Sequence, residues 1–162
     1  MTDREIMQQA LDAFGYDPET GYLFWKQSRG TKKAGSIAGA VNNKGYVIIQ
    51  LNGKIYQAHR LAWMLHHNQF DFQSIDHING IKTDNRIVNF REATLAQNQQ
   101  NQRQARIDNK SGYLGVCKYK EKWMACIKVN GRSKHLGYFE SPEIAHQAYL
   151  TAKRERHEAC TI

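Results

Sequence analysis

The sequence has few of the residues that stabilise secreted or membrane-spanning proteins. Its three cysteines, Cys117, Cys126 and Cys160, form no Cys-x-x-Cys pair, which argues against a disulfide framework or a zinc knuckle and favours a reducing cytoplasm. No apolar run approaches the roughly 18 residues that a membrane span needs. The first 14 residues, MTDREIMQQALDAF, contain acidic groups and no apolar segment, so we expect no secretory signal.

Acidic residues are also scarce. The chain of 162 residues has 15 Asp and Glu against 23 Lys and Arg, a formal charge of +8. Residues 1–100 contain 11 basic and 9 acidic groups, and residues 101–162 contain 12 and 6. A basic rear half indicates a polyanionic partner, nucleic acid before a membrane surface. A soluble protein that is merely basic remains an alternative on charge alone.

The first half of the chain predicts short helices and strands. Residues 3–14 have apolar side chains close to helical spacing, and residues 22–26 are typical of a strand. Two strands, 45–51 and 54–58, are joined by Asn-Gly, which suits a type I′ hairpin turn. AHRLAWMLHH (58–67) predicts a helix that packs on this hairpin.

The histidines of that helix have ordinary explanations. His59 either contacts phosphate or hydrogen-bonds the backbone of the hairpin, and the structural alternative is favoured. His66 and His67 lie at a predicted helix C-terminus, where a positive or donor side chain is favoured by the helix dipole. We assign neither of them to a metal.

The segment after residue 73 predicts a strand, a turn and a compact irregular stretch. Thr94 is a plausible N-cap for a helix, and Asn98 then lies one turn into that helix. Residues 97–110 have almost no apolar side chains and cannot form a core face, which predicts a linker or an exposed arm. Its basic residues suit tracking along a phosphate backbone, although a solvated tether fits equally well.

A second unit follows from residue 111. Residues 112–119, 122–130 and 132–139 alternate like three short strands, and Asn-Gly at 130–131 joins the last two. Ser-Pro-Glu at 141–143 is typical of a helix start. Ala145, Ala148, Tyr149 and Ala152 then mark the buried face of a helix that runs to about 158. Trp123, Leu136 and Phe139 are expected in the core, and the other face of the sheet is left open.

Four residues between 76 and 98 can hold one divalent cation and activate one water. Asp76 offers a carboxylate oxygen and Asn98 an amide carbonyl oxygen, ligands that suit Mg²⁺. His77 is adjacent to Asp76 and can take a proton from water at neutral pH. Asn89 could orient the imidazole by accepting from its N–H. An Asp-His pair alone would be read as a strand end, but the joint spacing of all four favours a metal-dependent DNA endonuclease.

Residues 76–98, DHINGIKTDNRIVNFREATLAQN, resemble the HNH nuclease motif in the branch found in phage and intron homing endonucleases. The resemblance implies a β-hairpin and helix around one metal. It implies Asp76 and Asn98 as metal ligands, His77 as general base and Asn89 as the residue that orients it. Asn98 stands where the third letter of the motif is His. The preceding strands and helix extend the resemblance to roughly residues 16–102.

Residues 111–159 resemble the plant ethylene-response-factor (APETALA-type) DNA-binding domain. In that family the open face of a three-stranded sheet enters the major groove, and Lys122, Lys128 and His135 fall at its contact positions. Leu114, Cys117, Cys126 and Ser133 replace its polar readers, so its recognition sequence is not transferred. The predicted DNA contacts, from charge and resemblance together, are Arg103, Arg106, Lys118, Lys120, Lys122, Lys128, Arg132, Lys134 and His135.

These inferences predict an α+β protein. The predicted order along the chain is a ββα-metal nuclease domain (1–102), a basic linker (103–110) and a domain of three antiparallel strands plus a helix (111–162). We expect a Mg²⁺-dependent, site-selective endonuclease of the homing type, with Mn²⁺ as a substitute and without zinc. Its partner is double-stranded DNA, bound as a monomer or homodimer, in the cytoplasm of a host if a phage encodes it. A non-catalytic DNA-binding regulator is the alternative, and an RNA-directed protein has weak support from the tyrosines of the rear domain.

Overall fold

The computed structural model describes residues 3–69, 71–106, 108–157 and 160. The chain divides into two compact units, Met1–Thr94 and Leu95–Ile162. Ile107 of the predicted linker lies outside the described residues, and the three predicted domain boundaries remain predictions. Within the described ranges, no helix is both long and apolar enough to cross a bilayer.

The first unit contains two helices and three small antiparallel sheets, β1-β2, β3-β4-β5 and β6-β7. In chain order its elements are α1 (Asp3–Ala13), β1 (Phe14–Tyr16), β2 (Leu23–Trp25), β3 (Ala40–Val41), β4 (Val47–Leu51), β5 (Lys54–Gln57), α2 (Ala58–His67), β6 (Ser74–His77) and β7 (Phe90–Ala93).

The predicted hairpin is confirmed. Leu51 pairs with Lys54 across a two-residue turn, where Asn52 has φ 50° and Gly53 has φ 78°. Positive φ at both positions defines the type I′ turn that matches the twist of the flanking strands. Helix α2 occupies the predicted range and ends where Asn68 turns left-handed, with φ 51°.

The core of the first unit lies between the two helices and the inner faces of the sheets. Ala10, Phe14, Leu23, Ile49 and Leu61 are each at most 2% exposed and belong to one continuous apolar cluster. Burying a large apolar side chain stabilises a fold by roughly 1.5–3 kcal/mol. This cluster includes residues of α2 and of β6 and β7, so it fixes the position of the strands that carry the predicted site.

Periodicity placed strand β7 in an irregular stretch, whereas the resemblance to the HNH motif implied a β-hairpin here. Phe90 and Ala93 at its two ends are buried, and its four residues pair antiparallel with β6. Strand β7 is only four residues long and follows a polar segment that interrupts the alternation of apolar and polar residues. Periodicity alone therefore could not show a strand here. A single 3₁₀ turn, Ile87–Asn89, leads directly into β7.

The second unit contains a short helix, a three-stranded antiparallel sheet in the order β10-β9-β8, and a long helix. Its elements are α3 (Leu95–Gln100), β8 (Val116–Tyr119), β9 (Lys122–Val129), β10 (Arg132–Phe139) and α4 (Pro142–Arg156). The predicted strands, the second Asn-Gly turn and the helix start are confirmed. Ser141 caps α4, because its side chain accepts a hydrogen bond from the Ile144 nitrogen at 3.4 Å. The described helix ends at Arg156, and the predicted end near 158 lies outside the described residues.

Helix α4 packs against one face of this sheet. Ala145, Tyr149 and Ala152 are buried among Ala125 and Ile127 of β9, whereas the predicted Ala148 is only half-buried. The expected core aromatics Trp123 and Phe139 and the expected Leu136 pack against the same clusters and are partly buried.

The segment that precedes the sheet is anchored to α4. Lys153 is 1% exposed, and its ammonium group donates a hydrogen bond to the carbonyl oxygen of Gln102. Asn101 is also buried. This segment is therefore attached to the second unit through the buried Asn101 and the bonded carbonyl of the exposed Gln102, although its polarity gave no sign of this.

Candidate active site

Asp76 and His77 are the last two residues of β6, and both are buried, with exposures of 6% and 5%. Across the hairpin, Asp76 pairs with Arg91 and His77 pairs with Phe90. Successive residues of a strand point to opposite faces, so the pairing gives the carboxylate a charged neighbour and the imidazole an aromatic one.

Asp76 forms an ion pair with its cross-strand partner. Arg91 Nε and Nη2 donate to Asp76 Oδ2 at 3.1 and 2.7 Å. A buried carboxylate is costly unless its charge is compensated, and the guanidinium group provides that compensation. The two hydrogen bonds from Arg91 fix the orientation of the Asp76 side chain.

The His77 ring lies among other rings. Its centroid is 5.2 Å from Phe90 and 4.9 Å from His59, both in edge-to-face geometry, and 6.2 Å from Tyr46. Burial lowers the pKa of His77 below its ordinary value of 6.5, although Asn85 and the nearby carboxylates act in the opposite direction. The imidazole is therefore neutral at pH 7, the state in which it can accept a proton.

The asparagine that contacts His77 is Asn85. Asn85 is 4% exposed, and its Oδ1 lies 3.2 Å from His77 Nε2. Tyr16 donates a hydrogen bond from its hydroxyl to the Asn85 carbonyl oxygen at 2.7 Å. No sequence pattern links Asn85 to Tyr16, because the two positions are 69 residues apart.

The predicted hydrogen bond from the His77 ring to Asn89 is wrong. Asn89 Oδ1 accepts from the Asn79 backbone nitrogen at 2.9 Å, and Asn89 Nδ2 donates to the Asp84 carbonyl oxygen at 2.8 Å. Both ends of the Asn89 amide are therefore bonded to the turn that follows His77. Asn89 is buried inside that turn and fixes its backbone, where the sequence analysis expected it to orient the ring.

The rest of the turn is closed by a carboxylate. Asp84 accepts from Arg86 Nε at 2.8 Å and Nη2 at 2.7 Å, and from Asn79 Nδ2 at 2.7 Å. The hydrogen bonds from Arg86, followed by that from Asn79, lower the pKa of the Asp84 carboxyl from 3.8 to about 2, against the opposing effect of burial. In the segment NGIKTDNR (79–86), Asn79, Asp84 and Arg86 therefore stabilise the turn.

His59 is a site neighbour that sequence reasoning did not identify. Its ring is 5% exposed, lies 5.5 Å from Tyr46 as well as 4.9 Å from His77, and has no described hydrogen-bond partner at Nδ1. Burial, followed by the charges of His77 and Arg60, lowers its pKa from 6.5 to about 3. A buried neutral ring does not contact phosphate from the surface, and no periodicity links residue 59 to residue 77.

Lys82 places a positive charge near the rings of Tyr46 and His77. Its ammonium group lies 4.7 Å from the centre of the Tyr46 ring and donates to the Lys44 carbonyl oxygen at 3.0 Å. The charge of Lys82 contributes to the lowered pKa of His77. Lys82 is exposed, so a cation that DNA can reach lies near His77 in the first unit, where the sequence analysis placed no DNA contact.

Asn98 lies on α3, one turn after Leu95, as predicted. Helix α3 belongs to the second compact unit, whereas Asp76, His77 and Asn89 belong to the first. Asp76, His77 and Asn89 all lie in or beside the β6-β7 hairpin, and the roles of these residues and of Asn98 remain predictions.

The donor chemistry fits a hard divalent cation. The buried carboxylate of Asp76 is a kind of ligand that Mg²⁺ accepts, with water completing its shell. Among the described residues, no three His, Cys, Asp or Glu side chains form a group that could hold an ion.

The sheet of the second unit separates the predicted DNA contacts. Directly paired residues of an antiparallel sheet point to the same side. Lys118 pairs with Trp123 and Lys134 with Ile127, so these two lysines lie on the side that carries α4.

The open side carries the other strand residues of the predicted set. Lys128 and His135 lie there with Tyr119 and Tyr138, whose ring centroids are 5.1 Å apart, and the His135 ring is 4.5 Å from Tyr138. Lys122 is also on this side and forms an exposed ion pair with Glu140 at 2.8 Å. Arg132 pairs with Val129 on the helix side. The remaining predicted contacts lie outside the strands and are Arg103, Arg106 and Lys120.

A comparison with protein families supports the interpretation of the first unit. The family model of the HNH endonuclease matches residues 56–100, a range that contains Asp76, His77, Asn89 and Asn98. Residues 56–100 thus carry an HNH endonuclease family domain, which suggests DNA endonuclease activity, and nucleases of this family use divalent metal ions in general. No curated protein and no solved structure matched the chain.

Proposed function

We propose that the protein is a Mg²⁺-dependent, site-selective DNA endonuclease of the homing type, which hydrolyses phosphodiester bonds with one metal ion. The observation that supports this function best is the position of two buried, adjacent residues at the end of β6, His77 and the carboxylate Asp76. The family match of residues 56–100 adds independent support.

In this mechanism His77 is the general base. Its neutral imidazole takes the proton of the attacking water, a role that typically contributes about 10²–10⁴-fold to a rate. Asp76 and Asn98 would hold the cation, which would be Mg²⁺ or, in its place, Mn²⁺. When bound, the cation relieves the charge on the phosphate and assists the leaving 3′ oxygen. Asn89 keeps the turn after His77 in one conformation.

We further propose that the second unit supplies most of the DNA affinity and selectivity. Its three-stranded sheet with one helix leaves an open face that carries Lys128 and His135. Such a face supports the predicted ethylene-response-factor-like mode of binding. Lysines in contact with phosphates give affinity and register, and contacts to base edges give selectivity.

A non-catalytic DNA-binding regulator is the second candidate. Arg91 donates two hydrogen bonds to Asp76 Oδ2, a contact that would compete with a metal ion for this oxygen. Such a protein would bind DNA with a steep salt dependence but would not cut it.

The deciding experiment is cleavage of supercoiled plasmid with Mg²⁺, with Mn²⁺ and with a chelator, followed by mapping of the ends on both strands. Wild type should cut only with metal, His77→Ala should bind without cutting, and the exposed His66→Ala should behave as wild type. Binding without metal-dependent cutting by wild type would establish the regulator. Equal cutting by His77→Ala would remove His77 from its role.

The setting of this activity is also a proposal. No disulfide joins Cys117, Cys126 and Cys160 among the described residues, which suits a reducing cytoplasm, that of a host cell if a phage encodes the protein. One site per chain makes a single nick the natural product of a monomer on double-stranded DNA. A double-strand break would need a homodimer or two visits.

A further inference from the structure

Asn85 makes two contacts, one with its side chain and one with its backbone, that could not be predicted from its position in the sequence. Its side-chain Oδ1 lies 3.2 Å from His77 Nε2, and its backbone oxygen accepts from the Tyr16 hydroxyl at 2.7 Å. Buried polar groups are kept in one place by such partners, and Asn85 is 4% exposed. The contact with His77 therefore joins two side chains that are both buried and both held from elsewhere.

We propose that Asn85 is the residue that positions the His77 ring, and that Tyr16 positions Asn85. This inference rests on the proposed function, in which His77 is the base. The Asn85 oxygen accepts from Nε2–H, which leaves the lone pair of the neutral ring on Nδ1. The atom that takes the proton from water is then Nδ1.

The orientation of the Asn85 amide follows from the requirements of a base. When the ring takes a proton, both of its nitrogens become donors. An Asn85 oxygen facing Nε2 then remains satisfied before and after the transfer. If the Asn85 NH₂ group faced Nε2 instead, protonation of the ring would place two N–H donors against each other. This repulsion would make proton uptake by His77 less favourable. Only the oxygen-inward orientation supports proton uptake at Nδ1.

The segment around Tyr16 is built to hold the backbone of Asn85. Gly21 has φ 78°, and a Cβ at this position would lie 2.5 Å from the Asn85 carbonyl carbon and from the Arg86 nitrogen. The Ile87 nitrogen donates to the Pro18 carbonyl oxygen at 3.1 Å. Burial, followed by the charges of Asp17 and Asp84, raises the pKa of Tyr16 well above its ordinary value of 10, so its hydroxyl remains a donor. Three contacts from residues 16–21 thus converge on residues 85–87.

A direct test reads the ring nitrogens of His77 in the full-length wild-type protein. Nitrogen-15 NMR distinguishes a protonated from an unprotonated ring nitrogen, and His77→Gln assigns the signals. At about pH 8, where an ordinary histidine is neutral, the hydrogen should be on Nε2. A hydrogen on Nδ1 would overturn the proposal, with no variant involved.

Variants test the consequence for the reaction. Asn85→Leu should lower kcat by about 100-fold, the scale on which a misplaced reacting group acts, with little change in KM for DNA. Asn85→Asp keeps an acceptor oxygen and should recover most of the rate and the Nε2–H form. Equal losses in both variants, or unchanged kcat in Asn85→Leu, would contradict the assignment.

Tyr16→Phe tests the second contact. Loss of one hydrogen bond to Asn85 should lower kcat by about threefold to tenfold, whereas the matched variant Tyr22→Phe, at a side chain 54% exposed, should not change it. Identical kcat in Tyr16→Phe and wild type would exclude Tyr16. The NMR readout does not depend on cleavage, so a protein that never cuts DNA would refute the proposed function, and a wrong tautomer would refute this inference.

Discussion

The two units differ in how they place the polar residues of their predicted sites. The first unit buries five polar side chains around the end of β6, and these are His59, Asp76, His77, Asn85 and Asn89. The second unit exposes Lys128 and His135 on the open face of its sheet. Burial demands fixed partners, so the first unit holds one rigid constellation, whereas exposed cations can adjust to a flexible polyanion.

Under the proposed function, this difference corresponds to a division between chemistry and DNA binding within one chain. Residues 1–100 have 11 basic and 9 acidic groups, and residues 101–162 have 12 and 6, so most of the excess positive charge lies in the rear half. Aligned reacting groups depend on sub-ångström placement, whereas phosphate contacts tolerate movement. A substitution in the first unit should change the rate of cleavage, and one in the second should change affinity.

The largest effect is expected at His77. His77→Ala should lower kcat by about 10²–10⁴-fold, because general base catalysis is lost, and DNA affinity should stay within a factor of two or so of wild type. Single-turnover cleavage with Mg²⁺, combined with a binding titration, measures both. A large loss of affinity in this variant would break the division between the units.

The next effect concerns the segment that holds the site. Gly21→Ala should destabilise the first unit by about 3 kcal/mol or more, because a left-handed conformation costs a non-glycine residue roughly 1–2 kcal/mol and the new Cβ also meets backbone. Gly53→Ala is the matched control, since Gly53 shares φ 78° and has no atom within 4 Å of the new Cβ. Urea unfolding of both variants isolates the cost of the close approach. Equal destabilisation would show that the contact with residues 85 and 86 is loose.

Much of the framework could be predicted from the sequence. The two Asn-Gly turns, helix α2 and the cap at Ser141 depend on local chemistry, and each is confirmed. The internal arrangement of the site could not be predicted, because it depends on distant residues. Tyr16 reaches Asn85 across 69 positions, and His59 meets His77 only because both pack on Phe90.

The error at Asn89 has a similar physical origin. The spacing of the sequence predicted that an asparagine side chain lies near His77. It could not show which one, since Asn79, Asn85 and Asn89 all lie within the connection between β6 and β7. The oxygen and the nitrogen of the Asn89 side-chain amide are both hydrogen-bonded to the turn. Competition among equivalent side chains is decided by packing, which a linear pattern does not encode.

A smaller effect is expected on the open sheet face. Lys128→Ala should weaken DNA binding about threefold to tenfold and reduce the salt slope by about 1, because one phosphate contact is lost. Lys134 lies on the side of the sheet that carries α4, so Lys134→Ala should have a weaker effect. Binding titrations between about 50 and about 200 mM salt provide the slopes. Equal effects of the two variants would refute the assignment of DNA to the open face.

The smallest effect concerns the pH dependence of the turn that holds Asn89. The pKa of Asp84 is about 2 in the folded protein against an ordinary value of 3.8. Because the folded pKa is depressed, the unfolded state binds protons first as the pH falls. The contribution of Asp84 to stability is therefore complete above about pH 5, declines as the pH falls through about 4, and is absent below about 2.

Asp84→Asn tests this dependence. The variant should be less stable than wild type by about 1 kcal/mol at neutral pH, as expected for charge-assisted hydrogen bonds that are partly exposed to solvent. The difference should shrink in urea titrations between about pH 5 and about pH 3. Asp108→Asn is the control, because the Asp108 side chain is 68% exposed in its ion pair with Arg106 and should show no such difference. A constant gap between Asp84→Asn and wild type down to the acid limit would mean that the carboxylate charge does not hold the turn, and the rigidity ascribed to the first unit would have to come from its apolar core.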